Sequence, residues 1–342
     1  MGAARRTRAN RRAARTPLIA LVFAKLADGK FHSGEELAKS LGVSRSAVWK
    51  AVGGLRALGT ALEAVRNKGY RLAFAGEALD AAKIRAQLPK ELRSRVTDIE
   101  VVWSLESTNT ALLSRPNPTA GVSQVLVAEY QSAGRGRRGR SWLAPPGGAI
   151  CLSLNWTFGE VPEDLGALSL VIGVCVRRAL AAAGVPDVKL KWPNDLMLSR
   201  RKLGGVLIEL RAESSGPACV VIGIGLNVAL GADLVKQIAA SGIAPTDLKS
   251  AGLAPLARNR AVALVAAQCL RGLEVFAREG LKPFIEDWRS ADALAGVEVN
   301  IAGAQGTTAG VARGIDVHGA LLIETRAGVQ RFISGEVSVR PS

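Results

Sequence analysis

"QVLVAEYQSAGRGRRGRSW", residues 124–142, runs from an apolar, strand-like segment into seven residues, Gly134 to Arg140, that hold three glycines and four arginines. Glycine lets backbone N–H groups approach a ligand closely, and guanidinium forks grip phosphate or carboxylate in pairs of hydrogen bonds. A loop of this composition between two sheet strands is a candidate cradle for an anion. It lacks the GxxxxGK[ST] spacing of a P-loop. Its Gly134–Gly139 segment matches G-x-G-x-x-G, but it leads into a strand rather than a helix, which removes the dinucleotide-binding context.

Around this loop, strand-like runs alternate with turns: "IEVVWSL", "QVLVAEY", "AICLSLNW", "VKLKW", "LGGVLIEL" and "CVVIGIGLNV". Helical runs fall around residues 165–183 and 255–280, and Ser107-Thr108-Asn109 reads as a strand-to-helix junction. Runs of strands with few helices predict an α+β domain built on a mixed sheet. After residue 290 the chain becomes short strands with Gly turns, five in about 45 residues, which predicts a small β-barrel.

The N-terminal fifth differs. Residues 1–72 carry 15 Lys/Arg against 4 Asp/Glu, whereas the other 270 residues carry 30 against 25. The formal net charge of +16 is therefore concentrated in a module suited to nucleic acid. Residues 1–16 contain six arginines and no acid, and read as a disordered basic arm. An Arg-rich, acid-poor leader also fits an organellar transit peptide. A helix over 17–27 follows, then a capping box from Ser33 to Glu36, a stop at Gly42 and a third helix capped by Ser44. Two short helices joined by "LGVS" form a helix-turn-helix signature. Ser44, Arg45, Ser46, Trp49 and Lys50 open the second of these and are the candidate DNA contacts. Lys68, in the Asn67-Lys68-Gly69 turn of a following hairpin, would extend them as a wing.

The rest of the composition excludes several chemistries. Four cysteines lie at least 24 residues apart in apolar stretches and read as buried free thiols. Two histidines, His32 and His318, leave no basis for a zinc site or a His-based triad. No apolar run reaches the roughly 20 residues of a membrane span, and no secretory signal is evident, so a cytoplasmic location is expected.

Three further segments carry chemistry: "STN" at 107–109, "KWPND" leading to Lys202-Leu203-Gly204-Gly205, and "GIGLNV" with Asn227. With Gln131 and "GRGRRGRSW", these motifs resemble biotin protein ligases, over about residues 17 to 340 and in the same order. The helix-turn-helix in front and the small barrel behind resemble the bifunctional kind, both ligase and repressor of biotin synthesis. The resemblance implies a winged helix at 17–76, a class II synthetase-like ligase domain at 77–290 and an SH3-like domain at 291–342. It implies ATP, biotin and Mg2+, a biotin carboxyl carrier domain as acceptor, operator DNA and a ligand-promoted homodimer.

Residue by residue, the resemblance implies that Ser107, Thr108, Asn109, Gln131, Gly134, Gly136 and Gly205 shape the biotin site. Arg135 and Arg137 would lie nearest the reacting carboxylate, and Lys202 would hold that carboxylate and then the α-phosphate. Arg138, Arg140, Trp142, Asn194, Asn227 and Arg258 would surround the nucleotide, and Asp195 would orient or deprotonate the acceptor lysine. For Asp195 a structural turn role is the competing reading, and for Trp142 a core position. The proline pair of "LAPPGGAI" and the absence of a tryptophan from "SGIAPTDL" depart from the family pattern, and the basic arm has no counterpart there. A ligand-sensing transcription factor without ligase activity, or a lipoate or octanoate ligase on the same fold, are the alternative functions.

Overall fold

The computed structural model describes residues 16–73, 76–211, 217–242, 244–250, 257–303 and 306–339. The basic arm thus lies outside the described residues except for Thr16. The N-terminal module folds as α1 (Leu18–Leu26), α2 (Gly34–Leu41), α3 (Arg45–Ala57) and a hairpin of β1 (Leu62–Val65) and β2 (Gly69–Leu72). Its start and stop signals act locally. Ser33 and Glu36 close a reciprocal capping box, Gly42 ends α2 at φ 65°, and the Ser44 hydroxyl accepts from the Ala47 amide. Val22, Phe23, Leu26, Leu37, Val48, Val52, Leu55 and Leu72 make its core. Gly69 is obligatory: at φ 98° a Cβ there would lie 2.0 Å from the His32 carbonyl.

The central sheet has seven strands in the order β3 (Val96–Leu105), β4 (Ser123–Gln131), β5 (Ala149–Thr157), β9 (Cys219–Asn227), β8 (Arg201–Arg211), β7 (Asp195–Leu198) and β6 (Lys189–Lys191). Only β3 and β4 run parallel, so the sheet is mixed, as the strand pattern predicts. Helices α6 (Leu168–Ala182) and α8 (Arg258–Glu279) bury their apolar residues in the core shared with β5 and β9. The stretch Leu165–Ala182 is long and apolar enough to cross a membrane, but most of it is buried inside the protein. Short helices α4 (Ala81–Gln87), α5 (Thr108–Leu113), α7 (Ala232–Ala239) and α9 (Ile285–Ser290) complete this part.

The C-terminal strands β10 (Glu298–Gly303), β11 (Gly306–Ile315), β12 (Leu321–Thr325), β13 (Gly328–Phe332) and β14 (Glu336–Val339) form one antiparallel sheet, ordered β13-β12-β11-β10-β14. Its apolar residues Val299, Ile301, Ile315, Leu321 and Ile323 join the core of the central part, and Trp192 Nε1 donates to the Gly319 carbonyl at 3.1 Å. Residues 291–293 also bond to the outer side of β6 through Leu190.

One correction concerns Arg258, expected beside the nucleotide. It is 1% exposed and its guanidinium is committed elsewhere. It donates to Glu129 Oε2 at 2.7 Å, to the Ala149 carbonyl at 2.9 Å and to the Glu77 carbonyl at 3.1 Å. Asn259 beside it is tied to Asp80 and Ala78. These residues clamp α8 to the segment entering from the winged helix.

Removing one member of such a pair strands the other charge in the interior. Arg258→Ala is therefore expected to destabilise the central part by about 3–5 kcal/mol, read as a lower urea midpoint by tryptophan fluorescence. Asp292 offers a pH test. Burial pushes its carboxyl up to about 6, and Oδ2 is buried without a partner. The folded chain keeps a proton that the unfolded chain releases, so this group disfavours the fold more as pH rises from the usual aspartate range through about 6. Asp292→Asn is expected to raise stability at pH 7.5 by on the order of 2 kcal/mol, with the gain narrowing steadily in melts taken down to pH 4.

Candidate active site

The Gly/Arg loop is a small hairpin rather than an open basic tail. Gly136 N donates to the Arg140 carbonyl at 2.7 Å and Trp142 N to the Gly134 carbonyl at 2.8 Å. A tight turn at Arg137–Gly139 puts Arg138 at φ 55° and Gly139 at φ 72°. Gly134 is required by close approach, since a Cβ would meet the Trp142 carbonyl at 2.4 Å. Gly134 closes the hairpin and is absent from the cavity wall.

Beneath the hairpin lies a cavity of about 1060 Å³ that brings most of the expected residues together: Ser107, Thr108, Asn109, Gln131, Arg135, Gly136, Arg137, Arg138, Arg140, Trp142, Asn194, Asp195, Lys202, Gly205 and Asn227. Arg258 and Gly134 stand outside it. At one end the chain is polar and buried. Ser107 caps α5, and Gln131 Oε1 accepts from the Thr108 backbone amide at 2.8 Å and its hydroxyl at 3.1 Å. Ser153 Oγ lies 2.6 Å from both Thr108 Oγ1 and Asn109 Oδ1. Asn109 is spent on structure: its Nδ2 donates to Glu209 Oε2 and to the Leu207 carbonyl. That makes it a strut of the wall, where the sequence suggested a ligand contact.

Two glycines spaced by one residue on β9 explain the wall opposite. A Cβ at Gly223 would fall 2.4 Å from Asn109, and one at Gly225 would fall 2.5 Å from the Trp142 ring. Residues two apart share a face of a strand, so this spacing clears room for both side chains. Trp142 therefore belongs to the cavity wall, with its ring N–H buried beside the Cys151 thiol. Asn227 Oδ1 is buried and unpartnered, while its Nδ2 donates to the Thr246 carbonyl.

The other end is strongly charged. Lys202 Nζ sits 2.6 Å from Asp195 Oδ1, each about one-fifth exposed. Arg137 Nη1 donates to Asn194 Oδ1 at 3.3 Å, and Asn194 is fixed by an Nδ2 bond of 2.7 Å to the Val206 carbonyl. Burial first, then neighbouring Arg138, pushes the Arg137 pKa down. Arg138 and Arg140 reach Glu336 of β14, across the chain. Lys191, the first residue of "KWPND" and given no role of its own in the sequence, lines the same region, makes no ion pair among the described residues, and has its pKa lowered by burial. Its signal was present in "KLKW", where polar residues alternate on a short strand. Cys151 also lines the cavity, but burial pushes its thiol up to about 12, so it is no nucleophile.

In the winged helix, Trp49 stands 68% exposed on α3, beside Arg45, Ser46 and Lys50 on the exposed part of the helix. Ser44 spends its hydroxyl as the N-cap. Lys68 and Arg71 lie over the Phe31 ring at 6.0 and 4.5 Å.

Comparison with known proteins finds matches to all three parts of the chain. The biotin/lipoate A/B protein ligase family matches residues 101–227, a helix-turn-helix domain matches 20–71, and the biotin protein ligase C-terminal domain matches 295–340. The bifunctional ligase/repressor BirA of Salmonella typhimurium is 38% identical over 318 residues, covering 92% of this chain and 95% of its own. The biotin–[acetyl-CoA-carboxylase] ligase of Mycobacterium tuberculosis is 34% identical over 70% of this chain and 88% of its own. Among solved structures, the biotin protein ligase of Aquifex aeolicus in complex with biotin and ATP superposes with a TM-score of 0.61 at 30% identity, over 72% of this chain and all of that one. The chain belongs to the family of bifunctional biotin protein ligase/repressors.

Proposed function

We infer that this chain is an ATP-dependent biotin protein ligase that also binds DNA through its winged helix. The observation that carries the reading is one cavity with a polar, buried end at Ser107, Thr108 and Gln131, backed by Ser153, and a cationic end at Lys202, Arg137 and Lys191. A small apolar ligand with a hydrogen-bonding head and a carboxylate tail fits these two ends. The ureido head of biotin would meet Ser107, Thr108 and Gln131, whose NH2 group remains available once Oε1 has accepted from Thr108. The valeryl chain would lie along Trp142, and the carboxylate would reach Lys202 and Arg137.

In the first step a carboxylate oxygen attacks the α-phosphorus of ATP, the bond to pyrophosphate breaks, and biotinyl-5′-AMP forms. Two anions must approach each other, so fixed cations at Lys202 and Arg137 lower the barrier. Asn227, whose Oδ1 is buried and unpartnered, would meet the nucleotide. Mg2+ would arrive with the phosphates, since the described residues hold no cluster of three or more His, Cys, Asp or Glu. In the second step the lysine amine of a biotin carboxyl carrier domain attacks the acyl carbon and AMP leaves. Asp195 would accept a proton from that ammonium group once the adenylate engages Lys202.

A homodimer would form through the central sheet. On the β7 side the β8 ladder ends at Gly205, so Ile208–Arg211 pairs with no strand there among the described residues, with Leu210 half exposed. A second copy pairing at that edge would set two winged helices for a palindromic operator. A cytoplasmic location suits both the carrier and the operator.

Incubation with ATP, labelled biotin and a carrier domain is expected to label the carrier lysine; no adenylate and no transfer would overturn the ligase reading. Lys202→Ala is expected to slow pyrophosphate release by about 100-fold. For the DNA role, titration of a random-sequence duplex at several salt concentrations is expected to show Lys50→Ala lowering affinity and reducing the salt slope by about one.

A further inference from the structure

One carboxylate, that of Glu209 on β8, holds the hairpin loop to the polar end of the cavity. Its Oε1 lies 2.9 Å from Arg135 Nη1, and its Oε2 accepts from Asn109 Nδ2 at 2.9 Å. Arg135, which the sequence placed nearest the reacting carboxylate, turns its guanidinium here instead, and also donates to Thr110 Oγ1 at 3.4 Å. Asn109 is braced from the far side by Ser153 and backed by Gly223, where a Cβ would not fit. Glu209 is about one-fifth exposed, whereas Arg135 is half exposed, so the strand supplies the fixed partner and the loop the movable one.

The remaining side-chain ties of the hairpin, Arg137 to Asn194 and Arg138 and Arg140 to Glu336, all lie at or beyond its turn. Glu209 is therefore the anchor of its first strand, between Gly134 and Gly136. We propose that Glu209 is a positioning residue for biotin capture. It fixes the loop in register with Ser107–Thr108–Asn109 and touches neither reacting atoms nor nucleotide. A carboxylate suits the task because it offers two acceptor oxygens to donors on two different segments. A glutamine at 209 has one acceptor, and its NH2 group would face either the guanidinium or the Asn109 amide.

This assignment rests on the ligase reading, and the test separates the two. Biotin-dependent pyrophosphate release is measured with the full chain, with Glu209→Gln, with Arg135→Gln and with both changes. Glu209→Gln is expected to raise the biotin KM about tenfold while kcat at saturating biotin stays within about twofold. The double variant is expected to lose less than the product of the single losses, because both changes cut one tie. Glu209→Asp, which keeps the charge but is one methylene too short to span both donors, is expected to give the same split if the glutamine variant does not fold. A fall in kcat at unchanged KM, or losses that multiply independently, overturns the assignment. Wild-type chain that releases no pyrophosphate overturns the ligase reading itself.

Discussion

The buried ion pair between Arg258 and Glu129 is the constraint on which the rest of the architecture depends. Glu129 lies in β4 two residues before Gln131, so the pair fixes the strand end from which the cavity floor and the hairpin loop depart. The same carboxylate accepts from the Leu79 amide, and the same guanidinium reaches the carbonyls of Ala149 and Glu77. One interaction thereby registers α8, β4, β5 and the segment arriving from the DNA-binding module. Pairs of this kind are poor sources of net stability, because desolvation offsets the Coulomb attraction. What they supply here is a single allowed arrangement.

Much of the fold was legible because its signals are local. Ser33, Gly42 and Ser44 act on amides and carbonyls within four residues of themselves, and the six central strand runs match the observed strands within a few residues. The short helices α4, α7 and α9 were not read, since six to eight residues span about two turns and show too little periodicity. The site divides in the same way. The loop and "KWPND" carry their chemistry in their composition, and the cavity gathers them. Arg258 was misplaced because a charge in sequence does not disclose its partner, and that partner is 129 residues distant. Glu209 and Glu336 were missed for the same reason: their meaning comes from arginines 74 and 196 residues away. The Gly223 and Gly225 pair was visible, but without Asn109 and Trp142 opposite it read only as part of a strand.

All three parts of the chain reach the surroundings of one cavity. The turn after α3 meets the segment following Trp142, where Thr60 Oγ1 donates to the Pro146 carbonyl at 3.4 Å. Phe23 of the winged helix packs on Trp103 of β3 with ring centres 5.5 Å apart. From the other side the C-terminal sheet grips Trp192 through Gly319 and the loop arginines through Glu336. The Pro145-Pro146 pair thus sits at the contact between the cavity wall and the DNA-binding module.

The carboxylate ties of the hairpin have a consequence for ionic strength. Arg135, Arg138 and Arg140 are each about half exposed where they meet Glu209 and Glu336. At physiological salt the screening length is about 8 Å, so added salt loosens these ties at the same time as it weakens contacts between the basic module and DNA phosphates. Salt therefore acts on this chain at two places at once, loosening the loop over the ligand and releasing the helix from the duplex. A salt slope measured with ligand present contains both contributions, and the slope measured without ligand is the one that counts phosphates.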